Sequence, residues 1–411
     1  MTHAPHRSFP PADFHIVDLF AGPGGLDIAA TIMGVKSIGV EWDDATRATR
    51  QAAGLRTATV KDVSDLGPGH PEVCEANVLT GGPPCQTFTV AGNREGHKAL
   101  KDVQRLAERM GGHADWASFS EAWAEVKAET DAMSDPRTGL VLQPLRWVME
   151  AKLRYGRPYR SILLEQVPTV IPVWRVYAAI LESAGYTADA QILRTEEFGV
   201  PQTRRRAVLI ARWGKDAEVT FPRPTHQHYR QGAVRIEGEE RPSQDSIPGM
   251  SDNHPAPRGW VAMRDVLSNR TGSLANRPED FVVVSNYGSG GNPKARGRRT
   301  SDQPAATVTG KVRRNRVFRL KGGKIGEELE RLSFEEAGLL QSFPADYPWQ
   351  STDVAQQIGN AIPPRLSLHI LSSALGLEQP GPELFDKLVA WKRPERMSSL
   401  VPVARVYAEA H

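Results

Sequence analysis

The chain has only two cysteines, Cys74 and Cys85, no apolar run near the length of a membrane span, and no apolar stretch between Met1 and Pro11. Each shortage removes a class of protein. Two thiols cannot build a disulfide framework, so a reducing compartment with a free thiol fits better than a small secreted scaffold. A spanning helix needs about 18 or more consecutive apolar residues and a secretory signal needs an apolar h-region, so the expectation is a cytoplasmic protein without a membrane partner. A large charge imbalance is also missing. With 51 Lys and Arg against 48 Asp and Glu, a net charge of +3 names no partner, and only the distribution of charge can. Internal repeats are absent as well.

What is present is enough for a full core: 411 residues, 40% of them hydrophobic, expected to form two domains or one with large insertions. Nine Lys and Arg and a single Asp lie between Asn286 and Arg319, interrupted by Gly288, Gly290, Gly291 and Gly297. Charge runs commonly just face water, but this density also suits a polyanion.

Phe14 to Phe20 is a short run rich in β formers. It meets Ala21-Gly22-Pro23-Gly24-Gly25 before a helix-compatible stretch from Leu26 to Met33, which reads as strand, glycine turn, helix. Ser37 to Val40 predicts a second strand ending at Glu41, and so a parallel βαβ unit. Val78 to Thr80, Arg160 to Leu164 and Ala207 to Ala211 predict three more strands. In open α/β sheets ligands bind beyond the strand tips, so Gly22, Glu41, Cys85 and Glu165 can converge on one crevice. From Trp213 the pattern becomes irregular, rich in Pro, Gly, His and Arg. Helical patterns return at Leu332 to Phe343 and at Pro364 to Leu375, the latter with proline at its start. The charged stretch from His97 to Ser134 reads as an inserted element with Leu106, Met110, Phe119, Trp123 and Val126 available for packing.

A glycine turn lets a backbone approach a ligand, and an acid at the next strand tip can accept hydrogen bonds from both ribose hydroxyls. Asp27 stands where a dinucleotide fingerprint needs its last glycine, which disfavours NAD. Trp42 offers a flat face for stacking, and Asp62-Val63 can reach an adenine edge. Pro83 and Pro84 fix the backbone before Cys85 and restrict where its sulfur points, although a lone cysteine is more often inert core.

Phe20-Ala21-Gly22-Pro23-Gly24-Gly25, Pro84-Cys85-Gln86, Glu165-Gln166-Val167, Gln202-Thr203-Arg204-Arg205-Arg206 and Gln357-Ile358-Gly359-Asn360-Ala361 occur in one order and together closely resemble the DNA (cytosine-5)-methyltransferase family, over roughly Ile16 to Leu375. Asp135 to Leu140 and Ala306 to Thr309 also resemble family segments. The resemblance implies an α/β fold: an S-adenosylmethionine-dependent, Rossmann-like sheet with helices on both faces, plus a smaller irregular target-recognition domain. The expected division is 1–212 for catalysis and cofactor, with the insertion near 97–134, then 213–350 for target recognition, then 351–411 as a return to the catalytic domain plus a tail. It also implies S-adenosylmethionine against Phe20, Ala21, Gly22, Gly24, Gly25, Glu41, Trp42, Asp62, Val63, Leu140, Asn360 and Ala361, with no metal.

The substrate so implied is cytosine in double-stranded DNA, flipped out of the stack. Cys85 would add to C6, Glu165 would act at N3, and Arg204 and Arg206, alternating along an extended segment and pointing the same way, would steady the base carbonyl, the carboxylate or a phosphate. Gln166 stands where the family usually has Asn, keeping the amide one methylene further out from the Pro-Cys turn it normally braces. The insertion falls where the family has a loop that closes over the base. A cognate restriction endonuclease is a possible partner, and a monomer is expected. The alternatives are a catalytically silent DNA-binding regulator of this fold and an RNA cytosine-5 methyltransferase.

Overall fold

The apolar runs that end in polar tips become neighbouring strands of one sheet in the computed structural model of the chain, which describes residues 10–84, 94–133, 135–236, 256–268, 277–285 and 297–393. The strands are β1 (His15–Leu19), β2 (Lys36–Val40), β3 (Val78–Gly81), β4 (Ser161–Gln166), β5 (Tyr186–Arg194) and β6 (Arg205–Trp213), in the order β2-β1-β3-β4-β6-β5. β1 to β4 run parallel, so their C-terminal tips share one edge. β6 is antiparallel to both its neighbours, and this reversal carries its N-terminal arginines to the same edge, with Ala207 beside Gln166.

The helices are α1 (Gly25–Ile32), α2 (Asp44–Ala52), α3 (Arg94–Arg109), α4 (Trp116–Asp131), α5 (Gln143–Leu153), α6 (Ile171–Ser183), α7 (Met263–Leu267), α8 (Phe334–Leu340), α9 (Val354–Asn360), α10 (Pro364–Leu375) and α11 (Pro382–Val389). Alternate sheet residues enter two cores. Val17, Leu19, Leu79, Ile162 and Leu164 face one, with Trp147, Trp174 and Tyr177 from the covering helices. Ile16, Val78, Leu163, Val208 and Ile210 face the other, with Ile28 of α1 and Leu368 and Leu371 of α10. Burial on both faces explains why these strands read as continuous apolar runs. α10 begins at Pro364 as its sequence predicts and stops at Gly376, whose φ of 66° favours glycine.

The inserted element is part of the first core. Leu106 of α3, Met110 just after it, and Phe119 and Val126 of α4 are fully buried there, and Trp123 packs half-buried against them. Ser134, at the end of the stretch singled out above, lies outside the described residues.

The region expected to be irregular holds regular structure. β7 (Phe281–Val284), β8 (Arg298–Thr300), β9 (Arg316–Lys321) and β10 (Lys324–Leu329) form an antiparallel sheet in the order β10-β9-β7-β8. Gly322 and Gly323, at φ 55° and 75°, make the two-residue turn between β9 and β10, where positive φ at both positions suits the twist of a hairpin. A third core joins Met263, Phe281, Val283, Val317 and Leu340 to Val354 and Ile358 of α9, while Ala361 and Leu366 just beyond belong to the second core.

One charge cluster is sealed beneath the tips of β1 and β3. Asp18 is buried and accepts a hydrogen bond from the Thr80 hydroxyl at 2.6 Å. Burial, with Asp27 nearby, pushes its carboxyl up to about 8, against the pull of Thr80 and Arg50. A folded-state value above the unfolded one means that the native chain holds a proton which the unfolded chain releases, so this group makes stability fall as pH rises from about 4 to about 8.

Two outcomes are expected. Leu106→Ala, which empties a fully buried site in α3, destabilises by about 2–5 kcal/mol in denaturant melts. Asp18→Asn keeps an acceptor for Thr80 and flattens the decline in stability between about pH 4 and pH 8; an unchanged slope would mean that Asp18 is ionised in the native state.

Candidate active site

β1 delivers the glycine turn, and three groups hold that turn open. Phe20, at φ 59°, is in a left-handed conformation that a non-glycine side chain rarely adopts, and Gly22 follows at φ 55°. The Gly22 N–H donates to Glu41 at 2.8 Å, and the Ala21 N–H donates to the Val40 carbonyl at 3.1 Å. From below, Arg50 donates to the Gly22 carbonyl at 3.2 Å and pairs with Asp27 at 2.7 Å, while the Tyr347 hydroxyl donates to the Pro23 carbonyl. Gly24 and Gly25 are required for space: a Cβ at Gly24 would lie 2.1 Å from Leu55, and one at Gly25 would lie 2.0 Å from the Ile362 carbonyl oxygen.

Above the turn there is room. A Cβ at Gly22 would meet nothing within 4 Å. Glu41 accepts from Gly22 with one oxygen and from the Asp43 N–H, at 2.9 Å, with the other, and a carboxylate has about four acceptor positions, so two remain for hydroxyls. Burial raises the Glu41 carboxyl, with the two backbone donors and Arg50 opposing. Trp42 beside it is 68% exposed, and Phe20 and Leu140 both pack half-buried on the first core. The open turn, the spare acceptors and the exposed ring fit a nucleoside ligand. Val63 is buried, its carbonyl held by Arg146 at 2.6 Å and by the Trp147 indole at 3.3 Å, and Asp62 accepts from the Ser64 N–H at 2.7 Å.

The second group forms where β3, β4 and β6 end together. Glu165 is enclosed and ion-paired with Arg206; burial raises its carboxyl, and the Arg206 guanidinium opposes that shift. Gly82 lies against it, since a Cβ there would sit 3.5 Å from Glu165. The Gln166 side-chain amide donates to the Pro83 carbonyl, while its oxygen accepts from the Val167 N–H at 2.5 Å. The longer glutamine therefore still reaches the proline turn. Cys85, next after Pro84, lies outside the described residues.

The two arginines part company, which corrects the expectation that they point the same way. Arg206 reaches the carboxylate. Arg204, 2% exposed, donates instead to the carbonyls of Val308 at 3.0 Å, Gly359 at 2.8 Å and Ala361 at 3.3 Å. Gln202 and Thr203 act alongside it: the Val308 N–H donates to Gln202 at 2.9 Å, and Thr203 exchanges hydrogen bonds with Ala305 and Thr307. The stretch Gln202 to Arg204 thus ties β6 to the segment that follows β8 and to the end of α9. Asn360 is exposed, its side-chain oxygen accepting from Gln356 at 2.8 Å.

Arg50 and Tyr347, and the structural role of Asp27, went unnoticed in the sequence. Only Asp27 left a trace there, as the acid in place of a fingerprint glycine; Arg50 sits inside a polar helix face and Tyr347 in a distant loop, joined by the fold alone.

Known proteins match this arrangement along most of the chain. The model of the C-5 cytosine-specific DNA methylases aligns with residues 14–104 and 126–375, leaving out the middle of the inserted helical pair. The type II methyltransferase M1.HphI of Haemophilus parahaemolyticus is 29% identical over 376 residues, covering 87% of this chain and 86% of its own length. M.NgoFVII of Neisseria gonorrhoeae, also a type II methyltransferase, is 23% identical over 392 residues, covering 92% and 91%. Among solved structures, a putative DNA modification methyltransferase encoded within an E. coli prophage superposes with a TM-score of 0.51 at 16% identity, covering 89% of this chain and 99% of its own. The S. pombe Dnmt2 methyltransferase superposes with a TM-score of 0.52 at 16% identity, covering 88% and 98%. This chain belongs to the C-5 cytosine-specific DNA methylase family and is a methyltransferase that uses S-adenosylmethionine to methylate cytosine C5 in DNA.

Proposed function

We propose that the reaction runs through a transient bond between Cys85 and C6 of a cytosine flipped out of duplex DNA, with the residues at the tips of β3, β4 and β6 as its machinery. The observation that carries this reading is the largely enclosed Glu165–Arg206 pair set against Gly82 at the start of the proline turn that leads into Cys85. C5 of cytosine is a weak nucleophile. A thiolate adding to C6 pushes electrons toward N3 and turns C5 into the carbon of an enamine. Glu165, raised by burial, can hold a proton at N3 as that charge develops, and Arg206 keeps the carboxyl oriented while standing near the base carbonyl. Once C5 has taken the methyl group, loss of the C5 proton to solvent, return of the N3 proton to Glu165 and expulsion of the Cys85 thiolate restore the aromatic ring.

S-adenosylmethionine supplies the electrophilic methyl group. Phe20, Ala21, Gly22, Gly24 and Gly25 shape the turn against which it lies, Glu41 accepts from its ribose, and Trp42, Asp62, Val63 and Leu140 border its base. Asn360 and Ala361 close that site from α9, where Arg204 fixes the backbone and so acts as a positioning residue. The covalent route calls for no metal. The segment 213–350 grips the duplex and pays for the few kcal/mol that flipping costs. The type II names of the relatives support a cognate restriction endonuclease as partner, a monomeric enzyme acting on cytoplasmic DNA being the simplest form.

Duplexes carrying 5-fluorocytosine block release of the C5 position. With S-adenosylmethionine present, the wild-type chain is expected to become permanently attached to them in a denaturing gel, and Cys85→Ser is expected neither to attach nor to leave 5-methylcytosine in bisulfite sequencing. Attachment by Cys85→Ser would assign the nucleophile elsewhere. Gln166→Ala, which frees the Pro83 carbonyl, is expected to lower kcat by about tenfold to a hundredfold with little change in KM for DNA, and Gln166→Asn to recover part of the loss. An unchanged kcat would show that the brace does not position the thiol.

A further inference from the structure

A second polar cavity, distinct from the Glu165 site, opens between the edge of the main sheet and the segment after β6. It has a volume of about 290 Å³ and is lined by Arg194, Arg204, Arg205 and Arg299 around Glu196 and His228. Consecutive residues of a strand point to opposite faces. Arg206 therefore turns to Glu165 while Arg205 lines this cavity.

The cavity concentrates polar atoms that the protein leaves unused. Glu196 is 2% exposed, and its Oε2 has no hydrogen-bond partner among the described residues; the same holds for Nε of Arg204 and of Arg299. Buried polar groups are nearly always satisfied, so three around one cavity need partners from beyond the described residues, which a bound ligand can supply. His228 Nδ1 stands 3.5 Å from Glu196 and 3.4 Å from Glu197. Arg299 stacks 4.8 Å from the Tyr229 ring centroid and donates to its hydroxyl at 3.3 Å, which holds the guanidinium at the cavity wall. Burial raises the Glu196 carboxyl to about 7, with Glu197 adding to the rise and Arg194 and Arg205 opposing it.

The chemistry of the lining selects the occupant. Four arginines favour an anion, but a phosphodiester alone offers only acceptors and gives the Glu196 carboxylate no donor. The fitting ligand presents acceptors to the arginines and a donor to the carboxylate. A nucleotide does both, through its phosphate and through the exocyclic amino group of guanine, cytosine or adenine, which thymine lacks; carboxylate to amino group is also a known pairing in base recognition. We propose that this cavity binds a nucleotide of the DNA other than the target cytosine, with Glu196 accepting from the amino group of its base and Arg205 and Arg299 holding its phosphate. Glu196 is then a specificity-determining residue at one position flanking the target. The assignment rests on the chain acting on duplex DNA.

The test starts from the methylated sequence, found by bisulfite sequencing of DNA from cells expressing the chain. Duplexes then carry, one flanking position at a time, a base without its amino group: inosine for guanine, purine for adenine, 2-pyrimidinone for cytosine. At one position the deletion is expected to lower kcat/KM of the wild-type chain by about tenfold or more, and Glu196→Leu, which removes the acceptor, is expected to abolish that penalty while the penalties at other positions persist. His228→Ala, at the rim of the cavity, is expected to weaken the same position's penalty and serves if Glu196→Leu does not fold. The assignment is overturned if no position's penalty changes in either variant, or if both variants slow all sequences equally, as a phosphate clamp or a water-filled cavity would. Wild-type chain that methylates no cytosine would overturn the parent reading as well; wild-type methylation with unshifted variants overturns only the cavity.

Discussion

The hydrogen bond from the Gln166 amide to the Pro83 carbonyl is the contact on which the arrangement at the strand tips depends, because it joins the ends of β3 and β4. β3 ends in the turn leading to the thiol, and β4 ends in the acid. Parallel pairing sets the two strands side by side but leaves the direction of the loop beyond β3 free. Pro83 and Pro84 cannot donate backbone hydrogen bonds, so the turn cannot be fixed by a ladder. A side chain must supply the fixing contact. Gln166 does so from the residue next to Glu165, which sets the turn and the carboxyl from one backbone. The reversed strand β6 adds Arg206 from the other side.

The glycine turn after β1 follows the same logic with opposite signs. Its N–H groups and carbonyls are exposed at the end of β1 and need partners that leave one face open. Glu41 takes an N–H, and Arg50 and Tyr347 take carbonyls from beneath. Burying a guanidinium is costly unless it is paired and fully hydrogen-bonded. Arg50 meets that condition through Asp27, the Gly22 and Arg56 carbonyls and the Thr57 hydroxyl. The strained φ of Phe20 persists because this network fixes the backbone on both sides of it.

Much of this was legible in the residues. The five strands expected from apolar runs appear within about two residues at the N-terminal ends, and the proline-started helix lies where its pattern placed it, because a sheet buried on both faces writes itself as unbroken apolar runs. β5 escaped notice: Tyr186 to Arg194 is an edge strand with Asp189 and Gln191 exposed, so its alternation looks like polar chain. The second sheet was passed over although Gly322-Gly323 between β-forming stretches is a hairpin signal, since the Lys and Arg around it read as a solvated loop. At the site, residue types disclosed chemistry but not orientation. Arg204 and Arg206 look equivalent two positions apart, and only the tertiary fold shows that carbonyls of the later segments capture the first while the carboxylate captures the second.

That capture bears on how the two halves of the enzyme are held. Arg204 lies within the short motif that also presents Arg206, so the same stretch of chain contacts Glu165 and the backbone after β8 and α9. Gln202 adds bonds to Leu340 and Gln341 of the third core, and Thr203 pairs with Ala305. A displacement of the second sheet against the main sheet must therefore pull on the strand that orients Glu165. The smaller sheet is thus joined to the Glu165–Arg206 pair through the backbone from Gln202 to Arg206. That route explains why a motif with only one arginine facing Glu165 needs its neighbours: Gln202, Thr203 and Arg204 fix the backbone from which Arg206 reaches the carboxylate.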